Sequence, residues 1–220
     1  MKMNFNLLDV PFELEKSTVL VVEDTLVFTE LMKQLYCYSP TSDLKIFDAK
    51  YTALKVTEMM VVTDILGYEI NSLTTLKLIY TDLEQQLNEK PELKSEIEQL
   101  ATTITDLISA ELIEHEMDLE MDEITINELF KALGIKIETT SDSIFEKMLE
   151  IIQVYTYLSK KKLLVFVNTC VYLTKQELKE LVDYIKLSNV DVLFLEPRLV
   201  SGVKQFVLDE DYFLTTETMI

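Results

Sequence analysis

Six acidic side chains lie within ten residues near the middle of the chain, a cluster suited to binding a hard cation. They are Glu114, Glu116, Asp118, Glu120, Asp122 and Glu123. Calcium takes six to eight oxygen ligands in loose geometry, which a dense run of carboxylates can supply. The run lacks the ligand pattern and central glycine of an EF-hand loop. A solvated acidic face is therefore the alternative to a cation site.

The other residues with chemical potential form no recognised catalytic motif. The single histidine, His115, has no nucleophile nearby in the sequence and no nucleophile-elbow motif, so we interpret it as a structural or surface residue. Gly67, Gly134 and Gly202 lack the spacing of a phosphate-binding loop or a dinucleotide fingerprint. The sequence therefore predicts a protein that is not an enzyme and works by binding and assembling.

Polar residues follow three predicted buried strands: Glu23 and Asp24, Asn168 and Thr169, and Glu196. The carboxyl ends of strands line ligand sites in open α/β sheets, so a metal or nucleotide pocket is one interpretation. Helix caps and strand ends explain the same residues.

The lysines are segregated from the acidic residues, although the chain carries 39 Asp and Glu against 20 Lys and Arg, a net charge of −19. Positions 82–128 contain 15 acidic residues and two basic ones, whereas positions 131–186 contain nine lysines and seven acidic residues. Lys131, Lys136 and Lys147 follow the acidic segment and could line a shared surface. Lys160, Lys161 and Lys162 precede a predicted strand, where lysines are solubilising or contact phosphate.

The elements that position these residues predict an α/β fold with a helical insertion. Strands are expected at 4–8, 12–14, 18–22, 44–47, 58–63, 163–167 and 190–195, and helices at 25–38, 142–158 and 175–187. Strand, helix and strand in the last third make a right-handed crossover with parallel strands, and Val19–Val22 is expected beside them. The predicted α/β head therefore comprises residues 1–71 and 134–220.

The intervening residues 72–133 are expected to form a helical leg. Apolar residues recur there at steps of three and four, which is typical of a narrow coiled-coil-like seam. They are Leu76, Tyr80, Leu83 and Leu87 in one helix, and Leu93, Ile97, Leu100, Ile104 and Leu107 in the next. Pro91 suits the first turn of the second helix. The pattern predicts an antiparallel hairpin projecting from the head.

Cysteine usage and hydropathy predict a soluble cytoplasmic protein. Cys37 and Cys170 lie too far apart for a Cys-x-x-Cys motif and are expected to be free thiols of a reducing compartment. The first ten residues lack the pattern of a signal peptide. No uncharged apolar run approaches 18 residues, so no membrane span is expected.

Several stretches resemble the CRISPR-associated adaptation protein specific to type II-A systems. They are VTDILGYEINS at 62–72, LNEKPELKS at 87–95, EMDEITINELFKALGIKIET at 120–139, KKKLLVFVNT at 160–169, VLFLEPR at 192–198 and DEDYFL at 209–214. The resemblance implies a homotetrameric ring whose subunits have a mostly parallel α/β head, related to P-loop ATPase folds without the phosphate loop, and a helical leg.

The resemblance also implies a function, namely binding of linear double-stranded DNA in a lysine-lined hole during spacer acquisition, beside the CRISPR integrase proteins and the RNA-guided effector nuclease. Bound calcium would steady the legs, with Glu116, Asp118, Glu120, Asp122 and Glu123 as expected ligands. The expected DNA-binding residues are Lys50, Lys131, Lys136 and Lys147. The chain has a single arginine, Arg198. Because arginine side chains most often read guanine bases, binding should be independent of sequence.

Two other functions stay open at this stage. One is a protein-interaction scaffold for the adaptation complex that touches DNA only incidentally. The other is a nucleotide-dependent switch, which the missing phosphate loop disfavours.

Overall fold

The computed structural model describes residues 1–8, 11–139, 141–157 and 162–218. The chain divides into two compact units, an α/β unit formed by Met1–Tyr68 with Thr139–Ile220 and a helical unit formed by Glu69–Glu138. The helical unit begins at 69 rather than the expected 72 and ends at 138 rather than 133.

Nine strands are found among the described residues, and all belong to the α/β unit. They are β1 Lys2–Asn4, β2 Phe12–Glu13, β3 Ser17–Val22, β4 Lys45–Phe47, β5 Met59–Val62, β6 Leu163–Val167, β7 Asp191–Glu196, β8 Lys204–Leu208 and β9 Leu214–Thr218. The main sheet has the order β5-β6-β7-β3-β8-β9. Its strands are parallel except β9, which is antiparallel to β8. The predicted parallel arrangement of β3, β6 and β7 is confirmed.

The parallel strands form the core because their side chains are apolar on both faces. All five residues of β6 are buried, as are the last five of β7 and of β3. Parallel sheets covered on both sides favour such continuous Val, Leu and Phe runs. Phe166 and Phe194 stack across neighbouring strands with ring centroids 5.7 Å apart. This packing fixes the strand ends whose polar residues were candidate ligands.

A second sheet contains β2, β1 and β4 in antiparallel order, and here one prediction is wrong. The first strand lies at Lys2–Asn4 and not at 4–8. The segment after it turns instead, closed by the hydrogen bond from the Leu8 N–H to the Phe5 carbonyl. Residues 2–4 and the predicted segment 4–8 both mix apolar and polar residues, so the pattern alone did not show which of them forms the strand.

Six α-helices are found among the described residues: α1 Thr25–Tyr36, α2 Leu73–Asn88, α3 Pro91–Ile113, α4 Ile126–Ala132, α5 Ile144–Tyr157 and α6 Lys175–Leu187. The helices α1, α5 and α6 of the α/β unit agree with the predicted helices to within two residues. Position 158, the predicted end of α5, lies outside the described residues. The helix α4 was not predicted. Its seven residues are too few for an apolar period to stand out.

The helical unit is built on α2, which packs against α3 and α4. Pro91 occupies the first turn of α3, as predicted. The predicted seam of α3 is wrong as an intrachain contact, because Leu100 and Leu107 are 59% and 67% exposed. The buried side of α3 instead passes through Ala101, with Ile97 and Thr105 half-buried beside it. A neighbouring apolar stripe of α3 is thus left uncovered.

Candidate nucleic-acid interface

Three lysines of the helical unit line one groove of about 780 Å³. Lys77 comes from α2, Lys131 from the last turn of α4, and Lys136 from the segment that follows. The remaining described residues around the groove are neutral, with Asn71, Thr81 and Asn127 polar and Leu73, Leu76, Tyr80, Gly134 and Ile135 largely apolar. The groove therefore presents positive charge on an uncharged floor.

Lys131 and Lys136 reach the same groove because the chain reverses between them. The Gly134 N–H donates to the Lys131 carbonyl at 3.0 Å, and the Ile135 N–H donates to the Phe130 carbonyl at 3.1 Å. These two bonds form a Schellman motif, which requires a residue in the left-handed region. Gly134 supplies it with φ of +66°. The motif ends α4 and turns Lys136 back beside Lys131.

The start of α4 is fixed equally firmly, by a capping box. The Thr125 hydroxyl accepts the Glu128 N–H, and the Glu128 carboxylate accepts the Thr125 N–H and hydroxyl. These bonds lower the pKa of Glu128 below its usual value, the hydroxyl contributing most. At the other face of the helix the Phe130 ring lies 5.8 Å from the Tyr80 ring. The short helix is therefore held to α2 in one orientation.

None of the three groove lysines forms a salt bridge within the described part of the chain, although the Lys131 ammonium contributes to lowering the pKa of Glu128 on the same helix. Several lysines elsewhere do form salt bridges. Lys94 pairs with Glu98 at 3.6 Å, and Lys162 pairs with Glu58 at 2.8 Å. The Lys162 ammonium holds the pKa of the Glu58 carboxyl below its usual value.

The structure separates the four lysines expected to bind DNA into two groups. Lys131 and Lys136 share the groove, whereas Lys50 and Lys147 belong to the α/β unit. The Lys147 ammonium donates to the Leu66 carbonyl at 2.7 Å, and Lys50 lies exposed in a turn. Lys160 and Lys161 lie outside the described residues.

Lys77 was missed by the sequence argument, because no motif or charge pattern marks it. Positions 73, 77, 80 and 81 are three or four residues apart along α2, so they share one helix face. That face carries Leu73, which is 88% exposed, and the buried Tyr80. The structure, and not the sequence, therefore places Lys77 in the lining of the groove, between an exposed leucine and a buried tyrosine.

The expected calcium ligands are not gathered into a site in a single chain. Helix α3 ends at Ile113, and residues 114–125 form irregular, mostly exposed structure. Among the described residues no group of three acidic, histidine or cysteine side chains is placed to hold a metal ion. Glu123 does line a groove of about 390 Å³ with Glu84, Glu98 and Asp106. His115 accepts the Met117 N–H at its Nδ1 and lies on the surface.

Two of the polar side chains at the strand ends serve as a cap and a support. Asp24 accepts the N–H groups of Leu26 and Val27 at the start of α1. Glu196 is buried and accepts the N–H groups of Thr169 and Cys170 at 2.8 and 2.9 Å. Burial raises the pKa of Glu196 above its usual value. These contacts agree with the cap and strand-end interpretation.

The fold and the groove together define a class, an α/β protein with a helical insertion that carries a basic groove. The sequence matches the family model described as CRISPR-associated protein (Cas_Csn2) over residues 37–212. It is 59% identical over 217 residues to the CRISPR-associated protein Csn2 of Enterococcus faecalis, covering 99% of both chains. It is 57% identical over 219 residues to the protein of that name from Streptococcus agalactiae, covering 100% of this chain and 99% of the other.

The chain belongs to the Csn2 family of CRISPR-associated proteins, as the family match and the two relatives show. The family is one of antiviral defence. The fold is similar to the crystal structure of Stu0660 of Streptococcus thermophilus, with a TM-score of 0.60 at 12% identity, over 100% of this chain and 76% of that one. No helix among the described residues is long and apolar enough to span a membrane.

Proposed function

We propose that this protein binds linear double-stranded DNA without reading its sequence and without catalysing a reaction, as a homotetrameric ring that acts in CRISPR spacer acquisition. The observation that supports it most is the groove lined by Lys77, Lys131 and Lys136. Phosphate contacts from lysine supply affinity that does not depend on base sequence. A groove with three ammonium groups that form no salt bridge among the described residues, and with otherwise uncharged lining, suits that contact.

The net charge of −19 does not oppose this proposal, because charge acts locally. The Debye length is about 8 Å at physiological salt, so distant surface carboxylates are screened from a bound phosphate. The lining of the groove contains three lysines and no carboxylate among the described residues. DNA therefore meets the local positive potential of the groove and not the average charge of the subunit.

The uncovered stripe of α3 supports self-assembly into a ring. Leu93, Leu100, Ile104 and Leu107 are 44% to 67% exposed and recur at steps of three, four and seven along one helix. Contiguous exposed apolar patches mark interaction sites. The same stripe also suits the alternative function, a scaffold for the CRISPR integrase proteins and the RNA-guided effector nuclease, which are the partners proposed for the assembled protein.

The test of this function compares two forms of one DNA duplex of the same sequence, linear and covalently closed circular. A closed ring can thread only onto a duplex with free ends, so it should bind the linear duplex and fail to bind the closed circle at the same low salt concentration. A second linear duplex of unrelated sequence should bind equally well. Equal binding of linear and circular DNA would contradict threading. Absence of salt-sensitive binding to either form, with assembly intact, would favour the scaffold.

A further inference from the structure

Lys136 lies in a segment without helix or strand structure that side chains hold on both sides. The Tyr80 hydroxyl donates to the Ile135 carbonyl at 2.8 Å. The Asn71 amide makes two bonds to Ile137, donating to its carbonyl at 3.0 Å and accepting its N–H at 2.8 Å. Three hydrogen bonds from α2 and the residue before its cap therefore flank Lys136.

The two bonds of Asn71 determine which side chains point outwards. Successive side chains of an extended segment alternate in direction, and a shift by one residue exchanges the two faces. Here Ile135 and Ile137 are half-buried and Lys136 is exposed. Pairing both backbone groups of Ile137 with one side-chain amide fixes this register. A slip by one residue would expose both isoleucines and turn the lysine inwards.

The hydrogen bond of the Tyr80 hydroxyl is partly buried, so its loss is costly. Tyr80 is only 7% exposed, and a buried hydroxyl without a partner is destabilising. The Ile135 carbonyl also lies directly beyond the Schellman turn that ends α4. Tyr80 therefore connects the segment after α4 to α2 through Ile135. Asn71 holds Ile137, the residue after Lys136.

We propose that Asn71 and Tyr80 are positioning residues that hold Lys136 in the groove it shares with Lys77 and Lys131. This inference rests on the proposed DNA-binding function. A lysine on a fixed backbone loses less conformational freedom when it binds a phosphate than one on a mobile segment. Ordering flexible groups at an interface opposes binding, so loosening the segment should weaken DNA binding about two- to tenfold.

The experiment is a double-mutant cycle on duplex DNA affinity with the full chain. Tyr80→Phe removes the hydroxyl and keeps the ring, and Asn71→Leu removes both amide bonds at similar volume. Each is measured alone and combined with Lys136→Gln, across a salt series. Tyr36→Phe, at an exposed tyrosine of α1, is the matched control. Thermal melting and hydrogen exchange of residues 133–138 report whether each variant folds and whether the segment loosens.

Positioning predicts that Tyr80→Phe and Asn71→Leu each lower affinity in the parent and reduce the salt slope, but have little effect when Lys136 is already Gln. An equal loss in both backgrounds would show a general structural role and overturn the proposal. Faster exchange at 133–138 with parental affinity would overturn it as well, while leaving the groove intact. If Lys136→Gln itself changes nothing, the proposal fails. If Lys77→Gln and Lys131→Gln still lose DNA affinity in that case, the proposed DNA-binding function stands and only the positioning role is overturned.

Discussion

At the scale of single residues, Glu196 illustrates a buried acid with a structural role. It is 3% exposed at the end of β7, and its Oε1 accepts two backbone N–H groups from the segment after β6. Burial raises the pKa of Glu196, and also raises that of the neighbouring buried thiol of Cys170. Both raised pKa values result from burial at the junction between the end of β7 and the segment after β6. The free thiol is consequently protonated and unreactive at neutral pH.

Glu196→Gln should make the protein less sensitive to pH. Because the folded state raises the pKa of Glu196 above 4.5, its stabilising contribution is complete at low pH and is lost as pH rises through the raised value. Glutamine keeps an acceptor for the two N–H groups and cannot ionise. The free energy of unfolding of the variant should therefore increase relative to that of the parent as pH rises. Urea titrations at several pH values above 4.5 measure this gain, and parallel pH profiles would contradict it.

At the scale of elements, the helix α3 shows why an amphipathic pattern alone did not assign contacts. Leucine and isoleucine at steps of three and four predicted that Leu100 and Leu107 face α2. The chain instead buries Ala101, and the larger residues remain exposed. A small residue allows close approach of two helices, whereas the bulkier stripe requires a separate partner surface. Sequence spacing marks both stripes as apolar but does not tell which one the same chain covers.

Replacing Leu100 and Leu107 together by lysine should disrupt assembly without unfolding the subunit. Both side chains are already more than half exposed, so their removal costs the isolated subunit little. Four subunits would each lose an apolar contact and gain repelling charges. The mass of the double variant in solution should fall below that of the parent. As a single subunit, the variant should melt near the same temperature as a dissociated parent subunit. Leu26→Lys, at an 81% exposed leucine of α1, is the matched control. An unchanged mass in the double variant would contradict this assignment.

Long, strongly patterned elements could be predicted, and short or exposed ones could not. The buried strands β3, β6 and β7 are apolar throughout, so their existence and parallel order followed from the sequence. The strand β9 is exposed along most of its length, and its Thr-rich sequence carries no burial signal. In the interface, Lys131 and Lys136 followed from their position after the acidic segment. Lys77 did not, because only the packing of α4 on α2 brings it beside them.

At the scale of the whole molecule, the acidic residues are concentrated in one stretch of the sequence, with 15 of them at positions 82–128. The run from Glu114 to Glu123 is exposed and irregular, and no preformed cation site is found among the described residues of one chain. Crowded carboxylates repel one another, and this repulsion is a cost that a shared cation would remove. Calcium binding by this run therefore remains a prediction for the assembled protein.

If calcium binds there, it should raise the melting temperature, because a ligand of the folded state stabilises it by mass action. At a hundredfold excess over its dissociation constant the gain is about 2.7 kcal/mol. Chelator should reverse the effect, and magnesium should reproduce little of it. Exchanging Glu116, Asp118 and Glu120 for their amides should abolish it. If chelator alters neither melting nor mass in solution, the run is a solvated acidic face.

The most direct test of the account measures how duplex DNA affinity depends on salt when the groove lysines are changed. Lys77→Gln, Lys131→Gln and Lys136→Gln are combined, and Lys90→Gln, at an exposed lysine between α2 and α3, serves as the control. The slope of log affinity against log salt should fall by roughly 0.9 for each phosphate contact removed, equally for unrelated sequences. The control should keep the parental slope. Parental affinity and slope in a correctly assembled triple variant would contradict the placement of the DNA interface in this groove.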